Sequence, residues 1–574
     1  MLTYMGGALM NALVVPGVRV EARFDVLPPL PAGSGVVGIA AIVDRPPNPI
    51  RMIGVTKAAE LAGALGPGTA TSAPEIVHAL ANGAAEVVIS PVAGGGTAAV
   101  TLNNGAGDAA LTLRARSNGT WANALAADIR ATLNGANEVV RVTLRLLRSG
   151  RVVEEFPDLS VTPGDPNDLF QTVNTRSAYV VAVDPGFAGA RPAPGNYALP
   201  ADGSGIDVPR EGDAAVLCTL FPDPGQDPAG VVVEIANATG NRSNVTIRRN
   251  GMVEESFSRL TMDVDDANEL PAMLLSSSRF VHVIESRSRA GVAAFPAGTA
   301  GPQLLAGGTS PNVAAYQTAI DRLAEDSRIN LVVAAIEPGR SEADVSAIHQ
   351  ALQAHAVAQA DQGSPRIAFG SVTATEEPVL DLIRTHAAAV RNRRFVLVSP
   401  PGAAGAVAGL LARIRPEESP TFKNVPLFGI PPASYSGSQL NRLLGPTHNL
   451  LVVQEWQGRG VVVLRGLDTS GDQISVTRVA DAAIRETKAI SENFIGQLNT
   501  NDARAALKAQ IVATLTRMER AGALVPSTDG SDPAFLVDVY STQLDFAQGI
   551  VRIDIAVRPV RAIDFIYATI RVKN

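Results

Sequence analysis

Residues 330–370 read NLVVAAIEPGRSEADVSAIHQALQAHAVAQADQGSPRIAFG. The run at 330–336 is short, continuous and apolar, as in a strand buried on both faces. Ser341, with Asp344 three residues on, resembles a capping box and opens a helix to about 358. A second strand follows at 367–370. Thr375, then Glu376-Glu377-Pro378, starts another helix with acids at its positive end, and Arg391, Arg393 and Arg394 suit its negative end. A strand at 395–398 and a helix at 404–414 continue the alternation. Strands alternating with helices of 10–15 residues predict an α/β fold built on a mostly parallel, doubly wound sheet.

The same pattern appears far upstream. Segments 36–43, 50–55 and 86–92 read as strands, with helices from Thr56 to about 65 and from Pro74. It breaks at Gly94-Gly95-Gly96 and resumes after Pro302, so one α/β domain is cut by an insertion. Within the insertion, 111–183 and 231–284 read as two copies of a β-rich unit. Val153-Glu154-Glu155 matches Val253-Glu254-Glu255, Asn167 and Leu169 match Asn268 and Leu270, and Ser177, Tyr179 and Val180 match Ser278, Phe280 and Val281. Ser149-Gly150 and Asn250-Gly251 are hairpin signals. A spacing near 100 residues is too long for a solenoid. Neighbouring strand residues point to opposite faces, so the Glu pairs read as solvated strand edges rather than as an acid/base pair.

Downstream come a hairpin at 450–453 and 461–464, helices at 480–498 and 503–520, and strands at 535–540, 550–557 and 563–572. Leu507, Ile511, Leu515 and Met518 share one face of the second helix. The last segment is apolar on both sides, with Ile563, Phe565 and Tyr567 on one and Ile566, Ile570 and Val572 on the other. Segment 13–26 near the start is also strand-like, and a Pro/Gly linker follows it. Exposed strands of this kind invite addition to a second copy of the chain, although both also fit pairing within their own subunit.

Chemistry is sparse. Among the 574 residues, 46% are hydrophobic and 18% charged, and the net charge is −7. This is globular material without the footprint of a nucleic-acid binder. A single cysteine, Cys218, excludes a disulfide framework and a multi-thiolate zinc site. No apolar run reaches the roughly 20 residues of a membrane span, and no Lys or Arg precedes Arg19, so no secretory signal is expected. The histidines His78, His282, His349, His355, His386 and His448 show no metal-ligand spacing. Pro401-Gly402 through Gly405 lacks both phosphate-loop signatures and reads as an ordinary βα turn. Gly307-Gly308-Thr309-Ser310 carries the Gly-Thr-Ser of subtilisin-like nucleophiles, but no histidine in a recognisable setting precedes Ser310. No catalytic, cofactor or metal site is expected.

Five stretches resemble the tail sheath proteins of contractile phages and related injection systems. Val15-Pro16-Gly17-Val18-Arg19-Val20-Glu21 is similar to the family's N-terminal arm, and Gly35-Val36-Val37-Gly38-Ile39-Ala40 to its first core strand. Gly119-Thr120-Trp121-Ala122-Asn123 resembles a G-x-W-G-N signature, with Ala122 where glycine is usual. Segment 305–320 resembles the GG-x-D-G region, with Thr309-Ser310 as a departure; Ser90-Pro91 is another, where the family often has an arginine. The last third, with Arg478 and the closing strands, resembles the sheath C-terminal domain.

The resemblance implies a subtilisin-like, non-proteolytic α/β core with inserted outer β modules and an α+β C-terminal domain with extended terminal strand arms. The expected divisions are an arm and linker at 1–34, core at 35–95 and 296–470, outer modules at 96–205 and 206–295, and the C-terminal domain at 471–574. The implied function is a structural subunit that polymerises helically around an inner tube and contracts to drive it through an envelope. The implied partners are further copies of the chain, the tube, and baseplate and terminator proteins. Nucleic-acid binding and membrane insertion are not implied, and the implied location is a virion tail assembled in the host cytoplasm. The inter-subunit residues expected are Val14, Val18, Val20, Phe24, Ile553, Ile555, Ile563, Phe565, Tyr567 and Ile570. The arms at 13–26 and 560–572 would complete a sheet with strand 549–557 of neighbours. Arg504, Lys508, Arg517 and Arg520 are the expected tube contact.

Overall fold

The computed structural model describes residues 35–565, apart from 45, 48–49, 67, 163–164, 188, 213–214, 224–225, 264–265, 267 and 287–291. The expected arm residues Val14, Val18, Val20, Phe24, Tyr567 and Ile570 lie outside the described residues.

The core is an eight-stranded sheet. Its strands are β1 (Val36–Ala41), β2 (Ile53–Val55), β3 (Glu86–Pro91), β4 (Leu331–Ala334), β5 (Ile367–Ser371), β6 (Phe395–Ser399), β7 (Leu451–Trp456) and β8 (Gly460–Val463). They lie in the order β2-β3-β1-β4-β5-β6-β7-β8. The six from β3 to β7 are parallel, and β2 and β8 close the edges antiparallel. Every residue of β1 is buried. Val37, Ile39 and Ala41 pack on one face with α1 (Pro74–Asn82). Val36 and Ala40 pack on the other with α2 (Val313–Arg322), α3 (Glu342–Asp361) and α4 (Leu380–Ala389). Helices on both faces explain why these strands read as unbroken apolar runs.

The helix α5 (Ala404–Arg413) crosses α1 backbone to backbone. A Cβ on Gly405 would lie 2.4 Å from the Glu75 carbonyl oxygen, and one on Gly409 would lie 2.2 Å from that of Ala79. Gly405 therefore belongs to a helix contact and not to the turn. Ser341 caps α3 by accepting from the Asp344 amide, as its spacing predicts.

The helix expected from Thr375 begins instead at Leu380. Glu376 is used in a turn before it: its carboxylate accepts from the Thr373 amide at 2.8 Å, and its own amide donates to the Thr373 hydroxyl at 3.1 Å. The same carboxylate accepts from His386 at 2.8 Å, and the other ring nitrogen of His386 meets His349 at 2.9 Å, all buried. Arg394 does not serve the helix end; it is buried 4% exposed and turned toward the C-terminal domain.

Glu75 on α1 is buried, and its Oε2 has no hydrogen-bond partner among the described residues. Burial, with the nearby Glu337 charge, pushes its carboxyl up to about 8 from an ordinary 4.5. Folded chains hold this proton more tightly than unfolded ones, so its contribution to stability falls as pH rises from 4.5 toward 8. His355 works in the opposite sense. Burial and the Arg366 charge push it down to about 4 from 6.5, so stability is lost as pH falls through that window. Glu75→Gln should be about 1–3 kcal/mol more stable than the parent above pH 8 and near parity at pH 5. Urea midpoints at pH 5 and 9 test this; an unchanged difference between the two pH values removes the assignment.

Two β-rich units occupy the insertion. In the first, sheet Gln303–Leu304, Leu125–Leu133, Val139–Arg148, Arg151–Leu159 stands beside sheet Ala99–Asn103, Ala109–Ala115, Val180–Val183, with helix Leu169–Arg176. In the second, the sheets are Gly195–Ala198, Val231–Ala238, Arg242–Arg249, Met252–Leu260 and Ile206–Pro209, Val216–Pro222, Val281–Glu285, with helix Leu270–Ser277. Later elements correspond at a constant offset of 101 residues: strand 252 against 151, helix 270 against 169, strand 281 against 180. Register breaks follow Val142 and Leu146 in one and Ser243 and Ile247 in the other. Asp158 and Arg259 both have positive φ, at 56° and 59°. Ion pair Arg141–Asp165 at 3.0 Å corresponds to Arg242–Asp266 at 2.7 Å.

This correspondence corrects two sequence alignments. Strand 231–238 matches 125–133, so position 231 does not correspond to the start of the first copy at 111, and Glu255 rather than Glu254 matches Glu154. Neither carboxylate is merely solvated. Glu154 accepts from the Ser177 hydroxyl at 2.6 Å and the Ala178 amide at 2.7 Å, and Glu255 accepts from the Arg279 amide at 2.9 Å. Each ties its hairpin to the turn after the helix.

The chain leaves and re-enters the core at one neck. Gly96 and Thr309 exchange backbone hydrogen bonds at 2.9 and 3.1 Å. The Asn123 side chain bonds both the amide and the carbonyl of Gly308, at 2.9 and 3.0 Å. A Cβ on Gly308 would sit 2.5 Å from the Gly119 oxygen. The segments 119–123 and 307–310 thus pack together, and the chain returns at 309 rather than 295 because 303–304 still pairs with 126–127.

Candidate functional site

The C-terminal region is built on α6 (Ile474–Glu492) and α7 (Asn501–Arg520). Helix α6 begins six residues earlier than its pattern suggests. Residues 474–479, ISVTRV, are mostly β-branched and all buried, so tertiary packing overrides their local preference. Three side chains one and two turns apart on α6 grip the core. Arg478 donates to the carbonyls of Leu411 (2.6 Å), Ile414 (2.9 Å) and Arg415 (3.0 Å), the unfilled acceptors at the end of α5. Asp481 pairs with Arg394 at 2.9 Å, both side chains under 10% exposed. Arg485 donates to the carbonyls of Ser327 (3.1 Å), Ile329 (3.0 Å) and Pro365. Burial pushes Arg478 down to about 10 and holds the Asp481 carboxyl above its ordinary range. The spacing 478, 481, 485 is one helical face, a signal the sequence reading passed over.

Thr500 caps α7 by accepting from the Ala503 amide. Its buried stripe Leu507, Ile511, Leu515 and Met518 supports a hairpin of β9 (Phe535–Tyr540) and β10 (Arg552–Val557), joined through α8 (Gln543–Ala547). The strands pair antiparallel, Phe535 with Val557 through Tyr540 with Arg552. Phe535, Val537, Val539, Ile553, Ile555 and Val557 half-bury themselves against α7. The other face is open, with Leu536 61% exposed. Among the described residues this sheet has two strands only, so alternate N–H and C=O groups on both outer edges have no ladder partner. A two-stranded sheet is marginal in water unless it gains strands or packs on a helix. Ile553 and Ile555 belong to β10, one of the two strands with an open outer edge among the described residues.

Beyond β10 the chain is held to the core. Residues 558–560 bond to 523–525, through Val525 N to Arg558 O at 3.1 Å and Val560 N to Ala523 O at 3.0 Å. Gln473 then reads the backbone of Ala562 with its side-chain amide, accepting from N at 2.9 Å and donating to O at 3.0 Å. Arg561 pairs with Asp472 at 2.6 Å, Arg465 pairs with Asp564 at 3.0 Å, and the Arg465 guanidinium lies 5.0 Å over the Phe565 ring. Ala562 and Asp564 face the body, while Ile563 and Phe565 point out, 78% and 61% exposed. The described part of the expected strand 563–572 is thus no strand; side chains rather than a ladder hold it. Arg465, Asp472 and Gln473 were not singled out from sequence.

The four cations expected at a tube do not form one stripe. At 100° per residue, Arg504 and Lys508 are about 40° apart, while Arg517 and Arg520 fall on the far side of α7. Lys508 pairs with Asp538 at 3.2 Å and Arg517 with Glu486 at 3.4 Å; Arg504 bonds Asn499 and Asn501, and Arg520 is exposed.

The Ser310 hydroxyl meets that of Thr120 at 3.2 Å, in the neck. The described histidines have partners elsewhere, among them Phe428 O for His78, Leu380 O for His448 and Arg366 for His355. Among the described residues no three His, Cys, Asp or Glu side chains are grouped to hold a metal, and no helix is long and apolar enough to cross a membrane.

Residues 468–573 match the family model of the phage tail sheath C-terminal domain. Over these residues the chain is similar to tail sheath C-terminal domains. The match begins at Asp468, in the loop bearing Asp472 and Gln473, and takes in both helices and the hairpin. The matched stretch thus includes its own attachment to the body. No curated protein matches the chain. Among solved structures, a sheath tail protein of Desulfitobacterium hafniense is 14% identical over 91% of this chain and 93% of its own, with TM-score 0.41. A sheath tail protein of Listeria innocua is 11% identical over 93% and 94%, with TM-score 0.44. The contracted helical sheath of the anti-feeding prophage is 20% identical over 47% and 78%, with TM-score 0.36.

Proposed function

We propose that the chain is the sheath subunit of a contractile tail or injection device, a structural protein without bond-breaking chemistry. This reading is supported by a C-terminal region that matches the sheath family model and whose hairpin, among the described residues, has two free edges. The core is read as a non-proteolytic relative of the subtilisin fold, with Ser310 a neck residue. The two insertion units are read as duplicated outer modules, spanning 96–309 with the neck. The arm 13–26, and the part of the arm 560–572 beyond the residues held to the body, add strands to the β10 edge of neighbouring copies, and a head-to-tail interface that does not close generates a helix of subunits. An inner tube lies against the C-terminal domain, met by one end of α7 and not by all four cations. Baseplate and terminator proteins cap the array, in a tail assembled in the host cytoplasm. Extended and contracted arrays are two packings of the same subunit.

Electron microscopy of the purified protein tests this. Hollow cylinders are expected, and deleting residues 560–574 should abolish them. Cylinders that survive the deletion overturn the arm assignment, and failure of the full chain to form any overturns the sheath reading. An active-site phosphonate probe should leave Ser310 unlabelled; labelling would favour a hydrolase.

A further inference from the structure

Resting on that reading, we infer that Arg465, Asp472 and Gln473 form a clasp that positions residues 561–565 and so presents Ile563 and Phe565 to a second copy of the chain. Four contacts within five residues hold this segment: Arg561–Asp472, the paired Gln473 bonds to Ala562, Arg465–Asp564, and Arg465 over Phe565. Gln473 addresses only backbone atoms, so it fixes where the chain runs whatever its side chains are. Asp564, with its side chain 8% exposed, fixes which way the residues face. Alternation then turns Ile563 and Phe565 outward, with most of their apolar surface in water. A fold that needed these side chains for its own core would bury them. This one spends a buried acid and two arginines on keeping them out.

The occupant is a second copy because of where the clasp stands in the chain. Residue 565 is followed by nine more, 566–574, which the sheath reading assigns to a neighbour. Residues entering that pairing must leave the body in a fixed direction, since a floating root would lose orientation each time a strand is exchanged. The clasp arises from the loop between β8 and α6. It therefore ties the direction of exit to the rigid sheet and not to the marginal hairpin.

The test compares the full-length protein with Gln473→Ala, Asp472→Arg, and the swap Asp472→Arg/Arg561→Asp. The first two should raise the concentration at which cylinders appear by about tenfold or more, with the urea midpoint of the disassembled subunit unchanged. The swap should restore assembly toward the parent. Variants that assemble like the parent overturn the clasp while leaving the sheath reading intact. Variants whose subunit is destabilised in proportion, with no recovery in the swap, show a merely structural contact and also overturn it. A parent that forms no cylinders overturns the sheath reading itself.

Discussion

Replacing Asp481 with alanine is expected to destabilise the protein by about 3–5 kcal/mol, because it strands Arg394 as a buried, uncompensated charge. Both partners are buried, 2.9 Å apart, at the junction of α6 with the sheet. Arg394 has one further bond, to the Arg366 carbonyl at 3.2 Å, which satisfies a donor without neutralising the charge. The loss comes from one partner left alone, so removing both behaves differently. Asp481→Ala/Arg394→Met should recover most of it, as buried pairs replaced by apolar groups often do. Urea unfolding of the two variants separates these outcomes. If the double variant is as unstable as the single, the cost lies in packing and not in charge.

The second large effect is at Gly409. In an ordinary exposed helix, Gly→Ala stabilises by about 1 kcal/mol. Here the new methyl would lie 2.2 Å from the Ala79 oxygen, and 2.9 Å from the Ala79 Cα. The obstacle is backbone on a packed helix, which cannot rotate away as a side chain would. The sign therefore reverses: Gly409→Ala should cost about 1–3 kcal/mol, and Gly405→Ala/Gly409→Ala more, as α1 and α5 are levered apart. Gly63 is the internal control. It is helical with nothing within 4 Å of an added Cβ, so Gly63→Ala should be neutral or slightly stabilising. Equal responses at 63 and 409 would refute the contact.

The core was legible because its strands are buried on both faces and its helices carry local start signals. Ser341 caps α3 as its spacing predicts, although Asp344 pairs with Arg340 and does not complete the box. The misreadings share a cause, which is that side chains with two plausible uses were assigned the local one. Glu376 and Arg394 looked like dipole partners of α4, yet they serve a turn and another domain. The true start of α6 was hidden because 474–479 has the residue types of a strand. The clasp was invisible since Arg465, Asp472 and Gln473 lie about 90 residues from what they hold. The hairpin strand 535–540 was found at its observed limits, yet nothing local says that its sheet has only two strands among the described residues.

The neck at Gly96 and Thr309 has a consequence for how such a chain can diversify. To the core, more than two hundred intervening residues are a loop whose ends already touch, and the entropy of closing a loop grows only with the logarithm of its length. Whatever is spliced between those two points, larger, smaller or unrelated in sequence, leaves the sheet's own register undisturbed. The inserted units are thereby free to change while the sheet beneath the neck keeps its geometry.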